Sequence, residues 1–176
     1  TIAGAAASSA SISSYTSAVT GIDQIVAAVP DIKKVADVTG EQVLQIGSES
    51  FNNERLLLLA RRVSAAVKSD DVDGVVITHG TDTMEETAYF LNLCIKSDKP
   101  IVLTGSMRPG TALSADGPLN LLNAVIVAGH TNLYLDGTVA ASSDGQDGRI
   151  WKAFLDQTGL TDACHAGSCD DGTLLD

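Results

Sequence analysis

Basic side chains and long apolar runs are both scarce in this sequence. Its 176 residues contain 11 Lys and Arg against 22 Asp and Glu, which gives a formal net charge of −11. Because binding to phosphates requires clustered Lys and Arg, and no such cluster occurs here, we expect no nucleic-acid partner. No apolar stretch approaches the roughly 20 residues that cross a bilayer, so we expect no membrane partner either.

Cysteine is also rare, and Cys94, Cys164 and Cys169 are the three residues of this type. Cys94 falls within an apolar helical pattern, which predicts a buried thiol. Cys164 and Cys169 lie near His165, but this group lacks the paired spacing of a metal site, and a flexible tail is the better interpretation. We therefore expect no bound metal. The odd number of cysteines does not fix the redox compartment.

Short β-branched runs alternate with amphipathic helical patterns, and this order predicts the fold class. Hydrophobic residues make up 44% of the chain and charged residues 19%, a balance typical of a folded globular protein. Strands are predicted at residues 41–47, 75–77, 100–104 and 137–144. Helices are predicted at residues 21–29, 52–68, 84–95 and 116–128. The alternation indicates an α/β fold with a doubly wound, mostly parallel sheet and flanking helices.

The turn at residues 78–83 joins a predicted buried strand to the helix that follows it. In an open α/β sheet, ligands bind in the crevice beyond the carboxyl ends of the strands. Gly80 allows the backbone to approach a ligand closely, and Thr81 and Asp82 would face the crevice. An alternative remains open, in which Thr81 or Thr83 caps the helix and the Asp82 carboxylate interacts favourably with the positive end of the helix dipole.

Three motifs carry more specific information than this turn alone. They are Thr-Ile-Ala-Gly at residues 1–4, His-Gly-Thr-Asp-Thr-Met-Glu-Glu-Thr-Ala at residues 79–88, and Gly-Ser-Met-Arg-Pro-Gly-Thr-Ala at residues 105–112. Together they resemble the bacterial type II L-asparaginases and the related glutaminase-asparaginases. The resemblance implies an amidohydrolase that converts L-asparagine, and also L-glutamine, to the corresponding acid and ammonia. It further implies small-molecule substrates, no cofactor, a homotetramer and a periplasmic location.

The resemblance also assigns roles to individual residues. Thr1 is implied to be the nucleophile that the substrate acylates, and Tyr15 to lie on the lid that closes over it. Ser48 is implied to bind the α-carboxylate of the substrate, and Glu49 its α-ammonium group. Many family members carry Gln at this second position, and Glu49 resembles the members that also accept glutamine. From the residues alone, Tyr15 is an ordinary loop aromatic and residues 48–50 are a polar turn.

Lys152 is predicted to have a catalytic role and Arg108 a structural one. By resemblance, Lys152 forms a relay with Thr81 and Asp82, in which Lys152 stabilises oxygen anions and Asp82 binds both Lys152 and the substrate ammonium group. Lys152 lies one position closer to the preceding Asp-Gly-Arg stretch than the family pattern has it, so a surface lysine is the alternative. Arg108 is expected to form a structural ion pair with Asp116.

The extent of the likeness predicts the domain organisation. Residues 1–154 are assigned to an asparaginase-like α/β catalytic domain, and residues 155–176 are unassigned. The family's strand before the nucleophile and its second domain have no counterpart in the sequence. Loss of that strand would cost more than the roughly 5–15 kcal/mol that a domain has to spare. We therefore expect the physical protein to be longer or the sequence to be incomplete, which an intact mass would test.

Three other functions remain open at this point. An N-terminal threonine hydrolase would use the Thr1 hydroxyl as nucleophile and its α-amine as base. A second alternative is an inactive fragment of an amidohydrolase. The third is an anion- or nucleotide-binding α/β module built on Gly80, Thr81 and Gly105, although no phosphate-binding glycine motif follows a strand here.

Overall fold

The computed structural model describes residues 1–9 and 14–129 and the backbone of residues 138–141. Within these ranges lie the helices α1 (Ile22–Ala27), α2 (Asn53–Lys68), α3 (Met84–Cys94) and α4 (Gly117–Gly129). The strands β1 (Val75–Thr78), β2 (Ile101–Thr104) and β3 (Thr138–Ala141) form one parallel sheet in the order β1-β2-β3. Short 3-10 helices cover Pro30–Lys34 and Ser48–Ser50. The predicted α/β class, with a parallel sheet and flanking helices, is confirmed.

The two faces of the sheet are covered by different helices, because alternate residues of a strand point to opposite sides. Ile101 and Leu103 of β2 pack with α2 and α3, in a cluster that includes Val63 and Leu91. Val102, which points to the other face, packs with residues of α4. All four residues of β2 are buried, as expected for a parallel strand with both faces covered.

The connections β1–α3–β2 and β2–α4–β3 have opposite hands. The strand order advances in one direction from β1 to β2 to β3, yet α3 and α4 pack against opposite faces of the sheet. Two crossovers of the same hand would place both helices on the same face. One connection is therefore left-handed, an exception to a rule that holds for about 98% of parallel crossovers.

The start of α2 agrees with the sequence-based prediction, whereas the last residue of α3 does not. Asn52 is the N-cap of α2, where the helical pattern predicts the start, and its Oδ1 accepts a hydrogen bond from the Arg55 N–H at 3.0 Å. Cys94, predicted to be a buried thiol, is exposed. It is the last residue of α3, where the helix leaves the core and the backbone becomes extended at Ile95.

Residues 41–47 form no regular strand, so this predicted strand is wrong. Side-chain amides, rather than a backbone ladder, tie the segment to its neighbour. Gln42 accepts a hydrogen bond from the Ile22 N–H through Oε1 at 2.9 Å, and Gln45 donates from Nε2 to the Ala18 carbonyl at 3.0 Å.

Asp116 shapes the loop at residues 105–116, which joins β2 to α4. Its buried carboxylate accepts hydrogen bonds from the N–H groups of Met107 and Arg108, both at 2.9 Å. The guanidinium group of Arg108 donates instead to the Ser114 carbonyl at 3.1 Å, so the predicted ion pair between Arg108 and Asp116 is wrong. Asn120 Nδ2 donates to the same carboxylate at 3.3 Å, so Asp116 is satisfied without Arg108.

In the part of the chain that the structure describes, no helix is long and apolar enough to cross a bilayer. The same residues include no group of three or more His, Cys, Asp or Glu placed to bind a metal ion. Residues 155–176, with Cys164, His165 and Cys169, lie outside the described residues.

Candidate active site

A cavity of about 300 Å³ opens beyond the carboxyl end of β1, a volume at the lower end of the range for small-molecule sites. Its walls come from residues 1–3 and 15–25, residues 42–49 and residues 78–82. Most of the predicted site residues line it, namely Thr1, Tyr15, Ser48, Glu49, Thr81 and Asp82. The remaining predicted site residue, Lys152, lies outside the described residues.

Ser48 and Asp82 are the centre of a hydrogen-bond network that joins two of these walls. The Ser48 hydroxyl donates to Asp82 Oδ2 at 2.9 Å and accepts from the Asp82 N–H at 3.2 Å. Ser48 is buried, whereas Asp82 is exposed and lines the cavity. The network therefore orients the Asp82 carboxylate while leaving it accessible to a ligand.

The turn between β1 and α3 is shaped for contact with Ser48 rather than for capping the helix. Thr83 occupies the N-cap position of α3, but its side chain makes no capping hydrogen bond. Its hydroxyl donates instead to the Ser48 carbonyl at 3.0 Å. A Cβ at Gly80 would lie 2.8 Å from the Ser48 Cβ and closer still to its Oγ, so the two turns touch only because residue 80 is glycine.

Thr1 and Tyr15 are brought together by a short antiparallel contact between their neighbours. Ala5 and Thr16 exchange backbone hydrogen bonds of 3.0 and 2.9 Å. Gly4 lies between the two predicted catalytic side chains, since a Cβ there would be 3.2 Å from the Tyr15 ring and closer still to the Thr1 methyl group. Tyr15 is 42% exposed, so its ring forms part of an open wall.

The described part of the cavity wall is acidic. Glu49 and Asp82 line it, and no Lys or Arg does so among the residues that the structure describes. Carboxylates without a nearby cation attract a positively charged group of a ligand. The hydroxyl groups of Thr1, Ser48 and Thr81 can donate hydrogen bonds to oxygen atoms of the same ligand. The walls therefore suit a small molecule that carries an ammonium group together with carbonyl or carboxylate oxygens.

His79 packs and forms hydrogen bonds within the turn, as its position in the sequence predicts, and the structure adds its partners. Its Nδ1 lies 2.6 Å from the Gly80 carbonyl and its Nε2 lies 3.0 Å from the Thr87 hydroxyl. Because a carbonyl only accepts, Nδ1 carries the hydrogen, and Nε2 accepts from Thr87. The ring also packs on Phe51, with centroids 4.6 Å apart. His79 thus connects the turn both to α3 and to the residue that follows Ser48–Ser50.

Acidification is expected to destabilise the protein through His79. Burial lowers the pKa of His79 below its usual value of about 6.5, and the Gly80 carbonyl and Glu85 oppose this shift only in part. The unfolded chain therefore binds a proton at a pH where the folded protein does not. The free energy of unfolding should fall as the pH drops through about 6.5, and this loss should level off below the folded pKa.

The variant His79→Gln isolates this effect, because an amide keeps a donor and an acceptor but does not titrate in this range. Thermal unfolding of both proteins would be followed from about pH 8 to about pH 5. The advantage of the wild type in Tm should be largest at the higher pH and should shrink toward the lower one. A difference in Tm that stays constant across the range would contradict the prediction.

Comparison with known proteins identifies relatives of this chain. The family model described as Asparaginase, N-terminal, matches residues 1–154. The chain is 59% identical over 150 residues to a glutaminase-asparaginase of Pseudomonas fluorescens biotype A, an alignment that covers 85% of this chain and 41% of that protein. It is 56% identical over 128 residues to a probable periplasmic L-asparaginase of Haemophilus influenzae, which covers 73% of this chain and 36% of that protein.

A comparison of folds also finds an L-asparaginase. The crystal structure of a probable cytoplasmic L-asparaginase from Campylobacter jejuni matches with a TM-score of 0.77 at 49% sequence identity. That match covers 80% of this chain and 43% of the other. The chain therefore spans less than half the length of each of these relatives.

Proposed function

Because this chain belongs to the asparaginase family, through the family's N-terminal domain, we propose that the protein hydrolyses the side-chain amide of L-asparagine, and also that of L-glutamine. The products are L-aspartate or L-glutamate and ammonia. The observation that carries the proposal is that Thr1 and Thr81, which are far apart in the sequence, line one cavity together with Asp82.

Recognition of the substrate rests on its two charged groups. We assign the α-ammonium group to Asp82 and Glu49, which line the cavity without a basic neighbour in the described walls. We assign the α-carboxylate to the Ser48 hydroxyl, which donates to Asp82 Oδ2 at 2.9 Å. Binding then exchanges one hydrogen bond for another, because the hydroxyl turns to the substrate carboxylate as the ammonium group reaches Asp82.

Acylation of Thr1 is the first chemical step that we propose. Thr1 Oγ attacks the side-chain amide carbon, a new C–O bond forms, and the hydroxyl proton passes by way of Tyr15 to the amide nitrogen, which leaves as ammonia. Backbone N–H groups near Thr1 and Thr81 bind the oxyanion of the tetrahedral intermediate. Water then cleaves the ester, which releases the acid and restores the Thr1 hydroxyl. No step of this sequence requires a metal or an organic cofactor.

A cation is needed for the proton transfer, because a phenol is a poor base at neutral pH unless a nearby positive charge stabilises its anion. We assign this charge to Lys152, in a relay with Thr81 and Asp82, on the likeness of residues 147–152 to the corresponding family stretch. Thr81 and Asp82, the other two members of the relay, are adjacent on the cavity wall.

Release of ammonia by the whole protein tests the proposed function. With L-asparagine, ammonia and L-aspartate should form in equal amounts, and L-aspartate should inhibit competitively. A nucleotide-binding module would release no ammonia and would instead bind ATP in a calorimetric titration of the same preparation. Absence of ammonia from both L-asparagine and L-glutamine would overturn the proposal.

We further propose that the protein is a homotetramer in the bacterial periplasm. The likeness to type II enzymes supports both statements, and the Haemophilus influenzae relative named periplasmic supports the second. The Campylobacter jejuni relative, which is named cytoplasmic, favours the other compartment. Light scattering of the purified whole protein should give the mass of a tetramer, and osmotic shock of cells should release it with periplasmic proteins.

A further inference from the structure

The segment that follows Thr1 rests against the loop at residues 105–116. The Gly110 N–H donates to the Gly4 carbonyl at 3.0 Å, and the Leu113 N–H donates to the Ser9 carbonyl at 3.2 Å. Between these two backbone contacts, the Ala6 N–H donates to the hydroxyl oxygen of Thr111 at 2.9 Å. Thr111 is thus the residue of this loop whose side chain holds the segment, and a substitution there can remove one contact without altering the others.

The loop provides a fixed support for the segment. The Asp116 carboxylate accepts two of its backbone N–H groups, and Asn120 Nδ2 donates to the Gly105 carbonyl at 2.9 Å. Both side chains are buried at the start of α4, which itself packs on the sheet. These buried contacts fix the first part of the loop, and the exposed Thr111 follows it directly after Gly110, whose N–H binds Gly4.

The same segment also pairs with the chain next to Tyr15, which lines the cavity. Ala5, which precedes the residue that Thr111 holds, pairs with Thr16 beside Tyr15. Gly4, one position earlier, contacts both the Thr1 methyl group and the Tyr15 ring closely enough to exclude a Cβ. A shift of the backbone at residue 6 would therefore change the distance between the two side chains that the proposed reaction uses.

We propose that Thr111 is a positioning residue for the amidohydrolase reaction, an inference that rests on the function proposed above. Its hydroxyl oxygen holds the Ala6 N–H and thereby keeps Thr1 and Tyr15 in register with a substrate that is bound from the opposite wall. Thr111 touches neither the reacting atoms nor the cavity. Its influence is thus confined to the rate of the chemical step, because Ser48 and Asp82 bind the ligand from other segments.

Two variants of the whole protein test this role. Thr111→Val keeps the shape of the side chain but cannot accept the Ala6 N–H, whereas Thr111→Ser keeps the acceptor. The valine variant should lower kcat for L-asparagine about five- to ten-fold, the effect of losing one neutral hydrogen bond in the reacting geometry. The affinity for L-aspartate should change by less than about two-fold, and the serine variant should recover most of the rate.

Amide hydrogen exchange supplies a readout that does not depend on activity. Exchange of the Ala6 amide should be faster in Thr111→Val than in the wild type, and near the wild-type rate in Thr111→Ser. Equal kcat values for the wild type and the valine variant, or a loss that appears in L-aspartate affinity instead of kcat, would refute the positioning role alone. A wild type that releases no ammonia would refute the proposed function, and the positioning role with it.

Discussion

Thr1→Ala in the whole protein should lower kcat for L-asparagine by at least about 10³-fold, because no oxygen remains to form the ester intermediate. The affinity for L-aspartate should change by less than about three-fold, since the loss of a nucleophile removes an interaction made only in the transition state. The groups that we assign to the charged ends of the ligand, Ser48 and Asp82, lie on other segments and keep their mutual hydrogen bond. Steady-state ammonia release and a calorimetric titration measure the two quantities.

Thr1→Ser is the matched control for this prediction. Serine keeps the hydroxyl group but lacks the methyl group that packs at Gly4 beside Tyr15. Turnover should therefore survive at a rate about 10- to 100-fold below that of the wild type, because the oxygen is present but less well oriented. Full activity in Thr1→Ala would remove Thr1 from the mechanism. A variant that also fails to bind L-aspartate would point to a structural role.

The parts of the fold that a local pattern can predict were predicted well. Val75–Thr78 and Ile101–Thr104 are short apolar runs rich in β-branched residues, a continuous signal typical of parallel strands. The predicted burial on both faces holds for Ile101–Thr104, whereas Val75–Thr78 is only half-buried. The helix Asn53–Lys68 combines an Asn cap with an apolar stripe, and both signals are local. In each case the information needed lies within the element itself.

The errors arise where the deciding partner is distant in the chain. Residues 41–47 carry a strand-like pattern, but they form no regular strand, and the amides of Gln42 and Gln45 bind the backbone at residues 18–22 instead. Asp116 is satisfied by N–H groups of its own loop, which a pairing of opposite charges cannot foresee. The opposite hands of the two crossovers depend on which face each helix covers, and no window of sequence records that choice.

In the candidate site, too, local patterns were predictable from the sequence and contacts between distant residues were not. Spacing alone placed Thr81 and Asp82 at the carboxyl end of a strand, but it left capping as an equal alternative, because a Thr-Asp-Thr turn suits either role. The contact between Ser48 and Asp82 links positions that are 34 apart, and only the resemblance to a family indicated that they meet. His79 and Thr87 were not paired, since two polar residues on a turn and a helix carry no signal of mutual burial.

Asp82→Asn is the second substitution with a large expected effect, and it should impair binding as well as turnover. An amide at this position can still accept a hydrogen bond from Ser48, but it carries no charge for the substrate ammonium group. Loss of one partner of a charge pair that becomes enclosed on binding costs about 10²- to 10³-fold in affinity. We therefore expect the affinity for L-aspartate to fall by about this factor, unlike in Thr1→Ala. The kcat/KM for L-asparagine should fall by at least as much, because Asp82 also belongs to the proposed relay.

Asp70→Asn is the control for Asp82→Asn, because it makes the same change of charge at an exposed residue of the loop between α2 and β1. Its binding and turnover should match those of the wild type. Ser48→Ala gives a further comparison, since it removes the donor to Asp82 and the proposed contact to the α-carboxylate at once. If the ammonium group binds at Asp82, the Asn variant should lose its preference for L-aspartate over succinate, which lacks that group. An unchanged preference would remove Asp82 from the ammonium site and leave Glu49, on the same wall, as the partner of that group.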